Sequence, residues 1–174
     1  MADGPKLIKS TTLTSNAASV TLDSIPQTYT DLYIVTSTRL APSGNENPTR
    51  ININGGSTLH YSKSIGAYPS NAPFSSQNPD GFGLWQMYGT NQSGVTAGLF
   101  GVTELYLRSY SSTTRIKAAT GYSVTTNTSG GNQLGFHGFN YDSLSQVTSI
   151  TFTGQASQSF LTGSTFHIYG IKVD

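Results

Sequence analysis

Residues 104–110 read ELYLRSY, with Leu105 and Leu107 alternating against Glu104, Tyr106, Arg108 and Tyr110. Successive side chains of an extended strand point to opposite faces, so this run turns two leucines toward a core and a polar, aromatic set toward water or a partner. The rest of the chain repeats the theme. Short β-branched and aromatic segments recur between clusters of Gly, Pro, Asn and Ser, and strands are expected at residues 7–13, 19–22, 31–40, 49–54, 58–65, 103–110, 115–122, 133–141, 147–153 and 165–173. No segment carries a 3.6-residue apolar period. The expectation is an all-β chain folded as an antiparallel sandwich or barrel.

Within that framework, the stretch 25–39, IPQTYTDLYIVTSTR, reads as a turn feeding a strand. Pro26 fixes the approach, Asp31 can organise the turn through its side chain, and the apolar run from Leu32 to Val35 predicts a strand covered on both sides. The closing strand sets Phe166 and Ile168 against His167, Tyr169 and Ile171, which predicts a strand that is either central or covered by a neighbour. ININGGSTLHY reads as a hairpin, because Asn54 and Gly55 can take the positive φ angles of a tight primed turn. Residues 66–98 read as a long loop region with Pro69, Pro73, Pro79 and the aromatics Tyr68, Phe74, Phe82, Trp85 and Tyr88. A loop of that length is functional unless it hides a short element.

Composition narrows the function classes. The chain has 174 residues, enough for one domain with a proper core. It has 19 Gly, 10 Tyr and 8 Phe, and roughly a quarter of its residues are Ser or Thr, a balance that favours sheets and turns over helices. Only 10% of residues are charged and the net charge is +1, so no basic patch for displacing counterions from nucleic acid is evident. With no cysteine, neither disulfides nor zinc–thiolate sites can form. MADGPKLIKSTTL has no apolar signal region and no 18-residue apolar run follows, so a soluble protein made in a cytoplasm, with no membrane partner, is expected.

The residues offer little catalytic chemistry. His60, His137 and His167 fall in separate strands without the close spacing of a metal site. No G-x-S-x-G elbow or phosphate-binding glycine motif occurs, and the glycines of SGGNQLGFHG fit a turn and tight strand packing. Glu104 and Asp142 are the only carboxylate pair in strand-like settings, and Glu104 is expected to meet a cross-strand Lys or Arg, or solvent. No catalytic, cofactor or metal site is assigned. Phe82, Trp85, Met87 and Tyr88 form either an apolar anchor at a subunit contact or a lid over one open end of the fold.

The segments STTLTSNAASVTLDSIPQTYTDLYIVTSTR, INGGSTLHYS, ELYLRSY and VTSITFTGQASQSFLTGSTFHIYGIK together resemble a virion-protein domain recurrent in tailed bacteriophages, frequent in cyanophages. The resemblance spans roughly residues 7–172 and rests on framework positions: Ile25, Pro26, Tyr29, Leu32, Asn54, Gly55, Phe166, Tyr169 and Gly170. It implies a single-domain, jelly-roll-like β-sandwich that forms trimers on the virion, as a capsid decoration (cement) protein or a fibre module. With a short arm at 1–6 and the domain over 7–174, no shaft is expected, which favours decoration of the major capsid protein lattice on the capsid exterior. Lys6 and Lys9 are candidates for reaching the capsid, and Tyr68, Phe82, Trp85, Met87 and Tyr88 for trimer contacts. The rival expectation is a receptor-binding module that stacks host-surface glycans on Trp85, Tyr88 or Tyr68.

Overall fold

The computed structural model describes residues 4–41, 49–56, 60–67, 73–79, 85–87, 91–92, 94, 96–126, 132–155 and 158–172. The strands are β1 (Lys6–Thr12), β2 (Ser19–Leu22), β3 (Asp31–Ala41), β4 (Thr49–Ile53), β5 (His60–Ala67), β6 (Pro73–Pro79) and β7 (Trp85–Met87). They continue as β8 (Asn91–Gln92), β9 (Gly101–Arg108), β10 (Lys117–Thr126), β11 (Asn132–Tyr141), β12 (Ile150–Gly154), β13 (Ser159–Phe160) and β14 (Thr165–Ile171). A large sheet runs β1-β14-β3-β9-β10-β11-β5-β6, with β13 and β8 joined to the end of β3, and a small sheet runs β2-β12-β4-β7. Among the described residues every strand pairing is antiparallel except the short one between β3 and β8. The chain is the expected all-β antiparallel sandwich.

Strand alternation builds the core. Leu32, Ile34 and Leu40 of β3, Leu105 and Leu107 of β9, and Phe166 and Ile168 of β14 line the inner face of the large sheet. Val20 and Leu22, Ile51 and Ile53, and Ile150 and Phe152 face them from β2, β4 and β12. Phe166 sits at the junction: its ring lies 5.0 Å from Phe152 across the sandwich and 5.0 Å, edge on, from Phe160. All three rings are sealed from solvent, and each contributes about 2–3 kcal/mol by leaving water.

Four readings of the sequence need correction. Asn54 and Gly55 do take positive φ, at 55° and 61°, but no hairpin forms. β4 pairs with β12 and β7, and β5 pairs with β11 and β6, so the turn passes the chain from the small sheet to the large one. Asn54 earns its place differently: its Oδ1 accepts from the Thr148 and Ser149 amides at 2.8 and 3.1 Å, and its Nδ2 donates to the Gln146 carbonyl. That wrapping occupies residues 146–149 and delays β12 to Ile150.

The second correction is at Tyr110, which is buried, not on the Glu104 side. Ser109 takes a φ of 54° and gives its amide to Asp31 Oδ1 at 2.7 Å, a turn that resets the alternation and sends Tyr110 inward to donate its hydroxyl to the Pro26 carbonyl. Asp31 therefore organises the turn after β9, while its other oxygen accepts from Tyr106. Third, β3 is sealed on one side only, since Tyr33 and Val35 remain half-buried on the outer face. Fourth, the stretch 66–98 is not one loop, because β6, β7 and β8 lie within it.

β14 is central, between β1 and β3, one of the two settings its two-sided sequence predicts. β1 closes one edge of the large sheet, and its register slips between Leu7 and Lys9. A bulge with flanking lysines, Lys6 exposed and Lys9 half-exposed, discourages another strand from adding there. Tyr29 lies flat over Gly170 of β14, where an added Cβ would fall 2.4 Å from the ring. Gly170→Ala is expected to cost about 2 kcal/mol in urea denaturation by displacing that ring, whereas Gly138→Ala, with open space around its Cβ, changes stability by less than about 0.5 kcal/mol.

A candidate interaction face on the large sheet

The residues that alternate away from the core form a continuous outer face. Cross-strand register places Tyr169, Tyr33 and Tyr106 in one row over β14, β3 and β9, and Val35, Glu104, Tyr122 and Phe136 in the next row over β3, β9, β10 and β11. The Tyr33 and Tyr169 rings lie 6.1 Å apart, tilted by 41°, and His167, bonded to Ser10 Oγ at 2.9 Å, flanks Tyr169. Arg108 sits over the Tyr106 ring at 5.4 Å, a cation–π contact at the rim.

Glu104 is the carboxylate at the centre of this face. The expectation for it is a cross-strand Lys or Arg, or solvent. Instead, both neighbouring strands supply phenols: Tyr33 and Tyr122 donate to the same Oε2, the latter at 2.6 Å. Burial, followed by the bond to Glu104, pushes the Tyr33 hydroxyl well above the ordinary tyrosine value, and the Glu104 bond raises that of Tyr122. Tyr106 is raised too, by burial and by its bond to Asp31. These phenols stay protonated and act as fixed donors to carboxylates. Asp142, the other half of the carboxylate pair, follows Tyr141, six residues beyond Phe136, which stands level with Glu104. That offset is roughly 20 Å at strand rise, beyond the spacing of glycosidase carboxylates.

Beside Glu104 the face becomes apolar. Val102, Val124 and Leu134 occupy one row of β9, β10 and β11, and Tyr122 and Phe136 the neighbouring row. Their exposure runs from 38% for Val102 to 58% for Phe136. On the inner face of the same strands sit Ser123, Thr125, Gln133 and His137, all buried. Over residues 122–125 and 133–137 burial of apolar and polar side chains is thus inverted, whereas Ala119, Phe139 and Tyr141 on the other half of β10 and β11 are buried in the ordinary way, and contiguous exposed apolar surface is a feature of contact sites.

Of the candidate contact residues, Lys6 and Lys9 lie on the edge strand β1, away from the apolar rows. Trp85 and Met87 belong to β7, in register with Ile51 and Thr49. Tyr68, Phe82 and Tyr88, and the side chains of Trp85 and Met87, lie outside the described residues. Sequence reading missed the apolar rows of β10 and β11, although the alternation in 132–141, NQLGFHGFNY, held the signal: Leu134 and Phe136 cannot share a face with Gln133, His137, Phe139 and Tyr141. Among the described residues no three His, Asp or Glu side chains are grouped to hold a metal ion. No protein-family model, no curated protein and no solved structure matches this chain.

Proposed function

We propose that this chain is a virion structural protein of a tailed bacteriophage, a capsid decoration (cement) protein that binds the assembled major capsid protein lattice as a homotrimer. The observation that carries the reading is the exposed apolar face of β9–β11 on an all-β framework with few charges, which suits broad, salt-tolerant contacts between proteins. The virion assignment itself rests on the framework resemblance in the sequence. In this reading the chain is no enzyme and takes no cofactor. Binding only to the assembled lattice stabilises that lattice by mass action against the pressure of packaged DNA.

Quantitative mass spectrometry of purified particles of the phage encoding this chain tests the proposal. Hundreds of copies per particle are expected. About a dozen copies would reassign the chain to a fibre or tail component, the setting of the glycan-binding alternative, and absence from particles would overturn the virion reading.

A further inference from the structure

We infer that Asn54 is a latent modification site, shielded while its side chain clasps residues 146–149 and converted to aspartate or isoaspartate by attack of the Gly55 nitrogen once that clasp opens. The inference is independent of the virion reading.

The chemistry is local. Asn54–Gly55 is the only Asn-Gly step in the chain, and glycine has no side chain to hinder its backbone nitrogen. That nitrogen, giving up its proton, bonds to Cγ of Asn54. The Cγ–Nδ2 bond breaks, ammonia departs carrying the proton, and a five-membered succinimide closes. Water then adds at either ring carbonyl and the carbon–nitrogen bond there breaks, which leaves aspartate or isoaspartate. No oxidant or reductant takes part.

The fold decides when this happens. The φ of 55° puts Asn54 in the left-handed region, where ψ lies near +47°. In an L-residue the torsion from Cβ to the next nitrogen is ψ plus about 120°, so the Gly55 nitrogen stands almost anti to Cβ, whereas ring closure needs the two almost eclipsed. Attack therefore requires a large rotation about ψ, and both sides of that bond are tied. Oδ1 accepts from the Thr148 and Ser149 amides and, at 3.2 Å, from the Thr148 hydroxyl, while Nδ2 donates to the Gln146 carbonyl at 2.7 Å. The Asn54 amide adds a bond to the Ser149 carbonyl at 3.0 Å, and the chain beyond Gly56 is committed to β5 and its pairing with β11. The clasp must open before the ring can form. Gly55 itself is exposed, and a Cβ placed on it would meet nothing within 4 Å, so the nitrogen is accessible as soon as the rotation is released.

The same contacts make the change one-way. Aspartate at 54 can still accept from the Thr148 and Ser149 amides, but its second oxygen replaces the donor that faces the Gln146 carbonyl, and two acceptors at that distance repel. Isoaspartate also lengthens the backbone between β4 and β5. Either product weakens the tie between this turn and the segment that enters β12, so an opening that reacts is written into the covalent structure.

The test incubates the full chain at about pH 8.5, in buffer and in urea above its unfolding midpoint, and follows the tryptic peptide 51–63 by tandem mass spectrometry. In urea, Asn54 is expected to deamidate to a mixture of the two products while Asn52, followed by the branched Ile53, stays intact. In buffer the rate at Asn54 is expected to be at least about 30-fold lower, as only the opened fraction reacts, and a smaller ratio overturns the inference. The variant Asn54→Asp, which carries one product from the start, is expected to unfold at a urea concentration lower by roughly 0.5–1 M, or not to fold. A wild-type midpoint for Asn54→Asp would show that aspartate closes the clasp as well as asparagine does, and overturns the one-way step.

Discussion

Lys117→Met is expected to lower the stability of the fold by about 3 kcal/mol and its melting temperature by roughly 6–12 °C. Lys117 is wholly buried, and its ammonium group donates to the carbonyls of Ser112, Arg115 and Ser143 at 2.7, 3.0 and 3.1 Å. All three protons are used. Burial pushes the lysine pKa below its ordinary value, a desolvation cost that the three converging carbonyl dipoles offset. Two chain segments are tied by this one group: the turn between β9 and β10, and the segment that leaves β11. The Gln146 side chain reinforces the tie by donating to the Ser111 carbonyl at 2.9 Å. Methionine keeps the stem and removes the donors, leaving three carbonyls without their shared partner. Arginine is no substitute, because a planar fork cannot address three oxygens converging on one point. Urea denaturation of Lys117→Met and Lys117→Arg reads the effect, and a wild-type midpoint in both would show that the ammonium group is dispensable.

Acidification is the second large effect. His137 lies on the inner face of β11, bonded to Ser123 Oγ at 2.7 Å and stacked on Phe139 with ring centroids 6.0 Å apart. Burial pushes its pKa down to about 4 from an ordinary 6.5. The folded chain therefore keeps the ring neutral while the unfolded chain takes up a proton below 6.5. Stability from this group is complete above pH 6.5, falls as the pH drops toward 4, and levels off beneath that, a total of about 3 kcal/mol. Unfolding midpoints at pH 7, 5.5 and 4 should trace the loss. In His137→Gln the same series is expected to be flatter, and an equal slope in the two proteins would assign the acid sensitivity to other groups.

The strand plan was legible because alternation and turn residues are local. ELYLRSY placed Leu105 and Leu107 in the core, and 19–22 was bounded to the residue. What escaped was decided by distant parts of the chain. Asn54 and Gly55 declare a positive-φ turn, yet whether the flanking strands pair depends on β12 and β11, which compete for β4 and β5. Tyr110 follows the alternation of β9 until Asp31, 78 residues away, takes the Ser109 amide and ends it. The face around Glu104 was half visible: its carboxylate and tyrosines stood in the sequence, but their pairing needed the register of three strands. The alternation that builds the apolar rows of β10 and β11 stood in the sequence, but which of the two strand faces meets the core is decided by the strands around them.

The antiparallel pairing of β1 with β14 has a topological consequence. Lys6 stands opposite Gly170, so the chain enters and leaves the large sheet at one place, within a single strand spacing. A bridge of a few flexible residues could join those two points, and new ends could then be opened at another exposed turn, giving a permuted chain with the same sheets. By the same geometry the whole sandwich can be spliced as a cassette into a loop of a carrier protein, displayed on a paired stalk that holds its two ends side by side.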